Sequence, residues 1–198
     1  MPSPAAHKYA VDVTRAKLLK QAARLYSRSS RQEKQVLYGA SLAANVAAWD
    51  AYVNGVVRNF FQVTAAPLVP QARAHHELAW AMAQKLLERF NVPNSENVRN
   101  LLIASTGYDP WPGWQWSAKG LNSLAARERL NEILRARHSI AHGFALPSLT
   151  WTVSRRGQVR LTTRMLEWNE AFLDNLVRQT DSGISQHVQV THATSAPW

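Results

Sequence analysis

The chain has 198 residues, no cysteine and a formal net charge of +10. That length suits one domain with a substantial core, and a chain without cysteine has no disulfide, thiol catalysis or cysteine–zinc site, which fits a reducing cytoplasm. No apolar run reaches the roughly 18 residues of a membrane span and the first residues lack a secretory signal core, so a cytoplasmic protein with no membrane contact is expected.

Residues 1–10 read as irregular. From about 12 to 28, Val13, Ala16, Leu19, Ala23 and Tyr26 recur at helical spacing, with Lys and Arg on the outer face. Residues 1–40 hold eight Lys and Arg against Asp12 and Glu33, so +6 of the net charge lies there. Such an arm attracts nucleic acid or an acidic partner; the alternative is a solvated amphipathic helix. Residues 32–64 form the longest helical pattern. Val46, Trp49, Val53, Val57 and Phe60 make its apolar stripe, and Ala40, Ala44, Ala48, Ala51 and Gly55 add a stripe of small residues open to close helix approach.

Further helices are expected over 71–90 and 95–105. Tyr108 to Trp116 reads as a loop by its prolines and glycine. Its tryptophans, Trp111, Trp114 and Trp116, stack nucleobases, fold back as a lid on the core or dock a partner. A helix follows over about 118–142, with Gly143 suited to the left-handed residue that ends one. Residues 150–154 and 158–162 alternate around Arg155, Arg156 and Gly157, a pattern that predicts a β-hairpin. A last helix spans about 164–179, and 181–198 reads as irregular. The fold class is therefore all-α, a helical bundle with one small β-hairpin before the last helix.

The most informative segment is Arg137-His138-Ser139-Ile140-Ala141-His142, followed by Gly143. On a helical wheel centred on Leu130, Leu134, Arg137 and Ala141 fall within about 40° of one another's stripe. An arginine there is expected to be paired or to line a polar site. His138 and His142 lie one turn apart on its flank. RNA cleavage through the ribose 2′-hydroxyl needs a proton acceptor, a proton donor and positive charge on the phosphate; two histidines and a guanidinium supply these without a metal or cofactor. The alternative is a structural arginine beside two surface histidines. The same histidine spacing occurs in zinc-binding helices, but Ser139 stands where the metalloprotease motif has glutamate.

Asp50 also falls inside an apolar stripe, between Val46 and Val57. Placing it opposite Arg137 where the two helices pack satisfies both charges, with Asn54 one turn on lining the same polar site; otherwise Asp50 sits at the stripe's edge in water. Arg28, Arg31 and Lys34 on the arm and Arg155 and Arg156 at the hairpin tip are candidate RNA phosphate contacts, or ordinary solubilising charge.

Arg137, four intervening residues and His142 resemble the signature of HEPN domains. Trp49-Asp50-Ala51-Tyr52 resembles the aromatic, acid, small, tyrosine segment of the RiboL-PSP branch of that superfamily. The resemblance implies a single HEPN-like α-helical domain over 1–198, irregular at about 1–10 and 181–198, and a homodimer. It implies a metal-independent endoribonuclease in which Arg137 and His142 are the catalytic pair and His138 occupies a variable polar position. It further implies a toxin or phage-defence effector held by an antitoxin or regulatory partner. The alternative within the superfamily is a non-catalytic module that binds a nucleotide or a partner protein.

Overall fold

A computed structural model describes residues 1–25, 31–64, 69–154, 156–192 and 197–198. Its helices are α1 (Pro4–Leu25), α2 (Arg31–Val63), α3 (Pro70–Arg89), α4 (Ser95–Thr106), α5 (Ser123–Ala141) and α6 (Thr163–His192), with two single 3₁₀ turns between α4 and α5. None of the described helices is long and apolar enough to cross a membrane.

The long α2 is the axis of the bundle. Leu42, Val46, Trp49, Val53, Val56, Val57 and Phe60 are buried along it, as expected for an apolar stripe at helical spacing. The small stripe admits a neighbour from the same chain. At Gly55 an added Cβ would lie 3.0 Å from the Ala5 Cβ of α1, so α1 packs almost backbone to backbone there. Ser41 Oγ donates to Ala16 O at 2.7 Å farther along the same contact.

Both chain ends are helical where irregular structure was expected. Pro4 occupies the first turn of α1, a position where its missing N–H costs nothing. Ser3 Oγ accepts from Ala6 N at 3.1 Å, and the Ser3 amide donates to Asp181 Oδ2 at 2.9 Å. Asp181 lies within α6, which continues to His192 rather than stopping near 179. Gly183 does not break it. That glycine makes room for Tyr108, whose hydroxyl would stand 1.8 Å from an added Cβ.

The expected β-hairpin is absent: no strand forms among the described residues of 150–162. Val153 and Val159 make one isolated antiparallel bridge, and Gly157 (φ 73°) closes the turn between them. The first arm is wound up instead of extended. Thr152 Oγ1 accepts from Leu149 N at 2.8 Å and donates to Pro147 O at 2.7 Å, a local side-chain bonding that competes with a ladder. Arg129 of α5 holds this loop down, its guanidinium 4.6 Å from the Trp151 ring and 4.2 Å from that of Trp168.

The aromatic loop folds back on the core. Trp114 is fully buried, donates through Nε1 to Thr180 Oγ1 at 2.9 Å and meets Trp49 edge-on at 6.0 Å. Trp111 lies between the guanidiniums of Arg99 and Arg127, at 4.2 and 4.0 Å. Trp116 rests on Trp168 at 5.4 Å.

Lys20 and Glu170 form an ion pair between α1 and α6, with only 6% and 7% of each residue exposed. Two charges taken out of water are held by their partner, so removing one strands the other. Lys20→Met is expected to cost about 3–5 kcal/mol in chemical denaturation. Adding Glu170→Leu is expected to recover most of that loss; simple addition of the two effects would show that they do not act as a pair.

Candidate active site

Asn122 starts α5, its side chain accepting from Ala125 N at 2.9 Å. Ala126, Leu130, Ile133, Leu134 and Ala136 make the buried face. The helix ends at His142 through a two-bond lock. Phe144 N donates to Ser139 O at 2.8 Å and Gly143 N to Ile140 O at 3.3 Å, with Gly143 at φ 70°. This is the Schellman arrangement, whose left-handed residue strongly favours glycine. Gly143 does what its sequence position implied.

The lock folds Phe144 back beside the histidines. The rings of His138 and His142 are 4.3 Å apart between centroids, and Phe144 lies 6.0 Å from His142 and 6.4 Å from His138. All three are exposed, Phe144 at 64%. Phe144 was not singled out in the sequence; the only signal was an apolar residue directly after the terminating glycine. His138 also borders a groove of about 420 Å³ walled by Val92, Leu134 and Pro147, with Asn131 and Arg135 on its rim.

Arg137 departs from expectation. Its angular position is central to the stripe, yet it is exposed. Ala136 is the last fully buried residue of α5; beyond it the helix outruns the surface it packs on, and only Ile140 still leans on α2. A Cβ added to Gly39 would lie 2.9 Å from Ile140 Cγ2, so Gly39 forms the seat for this last turn. The arginine of α5 that is taken out of water is Arg129, whose pKa burial pushes down to about 10 against the opposing pull of Glu132.

Asp50 is half-buried, and the expected direct contact with Arg137 is not made: no ion pair joins them within 4.0 Å. The two still act on each other. Burial raises the Asp50 carboxyl above its ordinary range, while the Arg137 charge and a 3.1 Å hydrogen bond from Asn54 Nδ2 pull it back down. Asn54 Nδ2 also donates to the Asp50 backbone carbonyl at 2.9 Å, so the two side chains are tied together one turn apart.

Of the candidate RNA contacts, Arg31 and Arg156 are exposed and Lys34 is partly so. Arg28 and Arg155 lie outside the described residues. Among the described residues no three His, Asp or Glu side chains cluster as a metal site would require.

An all-helical bundle carrying this arginine–histidine helix end defines the class. The RiboL-PSP-HEPN family model matches residues 13–186, and the chain belongs to that family. No curated protein and no solved structure matches it.

Because the folded Asp50 carboxyl titrates above its unfolded value, its ionisation works against the fold. The Asp50 contribution to stability is highest below the ordinary carboxylate pKa, falls as pH rises toward the raised value, and is level above it. Asp50→Asn is expected to remove that slope from thermal melts run across acidic pH. Arg137→Gln is expected to move the Asp50 carboxyl titration, followed by NMR, further up. An unmoved titration would show that the arginine does not reach the carboxylate.

Proposed function

We propose that this chain is a metal-independent endoribonuclease that works as a homodimer on single-stranded or loop RNA. The observation that carries the reading is the pair of exposed imidazoles 4.3 Å apart at the end of α5, next to an arginine. One ring takes the proton from the ribose 2′-hydroxyl and O2′ attacks the adjacent phosphorus. The bond from phosphorus to O5′ breaks, and O5′ receives a proton from the second group. Arg137 supplies the fixed positive charge for the phosphate as it gathers negative charge. His142 is the first candidate for proton transfer, on the family's motif, and His138 is placed to be its counterpart.

The need for a second copy follows from the helix itself. His142 is five positions on from Arg137, so the two side chains leave the helix about 140° apart. Arg137 acts toward Asp50, whereas His142 is grouped with His138 and Phe144. Two motif helices meeting about a two-fold axis bring an arginine of one copy to a histidine of the other. The exposed Phe144 ring gives such an interface an apolar centre. Free cleavage of cellular RNA is toxic, and by analogy with the family the chain acts as a toxin or defence effector held by an antitoxin or regulatory partner. Arg31, Lys34 and Arg156 are then phosphate contacts.

A non-catalytic module that holds a nucleotide on Arg137 is the second reading. What favours it is that no described residue hydrogen-bonds either motif imidazole through its side chain, so the rings are placed by ring packing rather than by a polar partner. One experiment separates the two. Purified protein is expected to cleave single-stranded RNA in excess EDTA and leave a 2′,3′-cyclic phosphate and a 5′-hydroxyl. Activity lost in EDTA and restored by a divalent ion would overturn the mechanism. Tight nucleotide binding without any cleavage would establish the second reading, and full activity from a protein that sediments as a monomer would remove the composite site.

A further inference from the structure

Arg31, Arg160 and Arg164 meet, with Lys34, around a cleft of about 480 Å³ between the start of α2 and the N-terminus of α6. Among the described residues no carboxylate lines it. None of the three arginines forms an ion pair with a described residue, and Arg160 Nε is buried without a hydrogen-bond partner. The first turn of α6 contains no acid, and Arg164 lies in it instead. A cation at the positive end of a helix is electrostatically unfavourable. Crowded cations there repel one another, and a bound anion relieves both effects at once.

The cleft is also held in a fixed shape. Gln35 clamps the Leu161 backbone from both sides, donating to its carbonyl at 2.9 Å and accepting from its amide at 2.8 Å. The Tyr38 and Thr163 hydroxyls are hydrogen-bonded at 2.9 Å, and Arg160 N donates to Thr152 O at 2.9 Å. The arginines therefore project from a backbone that needs no rearrangement to receive a ligand. The position is equally informative. Gln35 is four residues, about one helical turn, from Gly39, on which Ile140 of the motif helix is seated. Both places therefore lie along the first turns of α2.

We propose that the α2–α6 cleft is a phosphodiester-binding site that anchors the RNA strand beside the histidine pair. The assignment rests on the RNA reading above. Arginine forks match phosphate oxygens bidentately, and the site contributes binding without touching the reacting atoms. Arg160 and Arg164 carry no sequence motif; only the fold brings them to Arg31.

The test uses the full chain with a 2′-O-methyl single-stranded oligonucleotide, which binds without being cleaved, followed by fluorescence anisotropy across a salt series. Arg31→Gln with Arg164→Gln, both at exposed positions, is expected to weaken binding about tenfold and to flatten the slope of log K against log salt by about 1.4. Thermal melts confirm that the variant folds. With cleavable RNA, KM is expected to rise while kcat holds. Unchanged affinity and salt slope would overturn the proposal, whether or not the wild type cleaves RNA. Inorganic phosphate that displaces the oligonucleotide at equal concentration would make the cleft a free-anion site and overturn it too, as would displacement by an oligoglutamate peptide at equal charge. A wild type that binds through this cleft but never cleaves keeps the cleft and removes the nuclease.

Discussion

The end of α5, which we propose as the catalytic site, depends on how one helix stops. Gly143 takes a left-handed conformation that L side chains adopt only at a cost, and that single residue allows the two closing hydrogen bonds from Phe144 and Gly143 back into α5. The lock leaves His142 as the last half-helical residue, keeps His138 one turn below it and turns Phe144 onto their flank. Were the helix to run on, Phe144 would leave the imidazoles. A second glycine sets where this end sits, since Gly39 lets Ile140 approach α2 more closely than any side chain there would permit.

Everything else keeps that end in place. The buried face of α5 packs toward α2, and Trp49 of α2 is stacked with Tyr52 and met by Trp114 from the aromatic loop. The loop's tryptophans thus serve the core, where their large rings bury most area and their N–H groups find partners. Polar ties close the bundle across distant parts of the sequence: Ser3 to Asp181, Ala5 N to Asn59, Lys20 to Glu170. The motif helix itself is held by its buried face, Ala126, Leu130, Ile133, Leu134 and Ala136, and ends at the surface beyond it.

Much of this was legible in the residues. The long α2 and its stripe follow from spacing alone, and Gly143 announced the end of α5. The Ser3-Pro4 pair carries a helix-start signal that residues 5–10, with few large apolar side chains, did not reinforce. Periodicity failed where an angular position was equated with burial. Arg137 occupies the stripe but projects past its partner, whereas Arg129, near the edge of the same stripe, is covered by two tryptophans contributed by later segments. The alternating residues 150–162 suggested strands, and a threonine bonding its own loop decided otherwise. The meeting of Arg31 with Arg160 and Arg164 joins segments some 130 residues apart in sequence, and no local pattern encodes it.

The central claim is that the end of α5 performs chemistry. It is tested most directly by comparing RNA cleavage by the wild type with that by His142→Ala. Position 142 is exposed at the helix end, so the substitution is expected to leave the melting curve nearly unchanged. The account predicts that cleavage is abolished while RNA binding persists. Normal cleavage by a folded His142→Ala protein would contradict it.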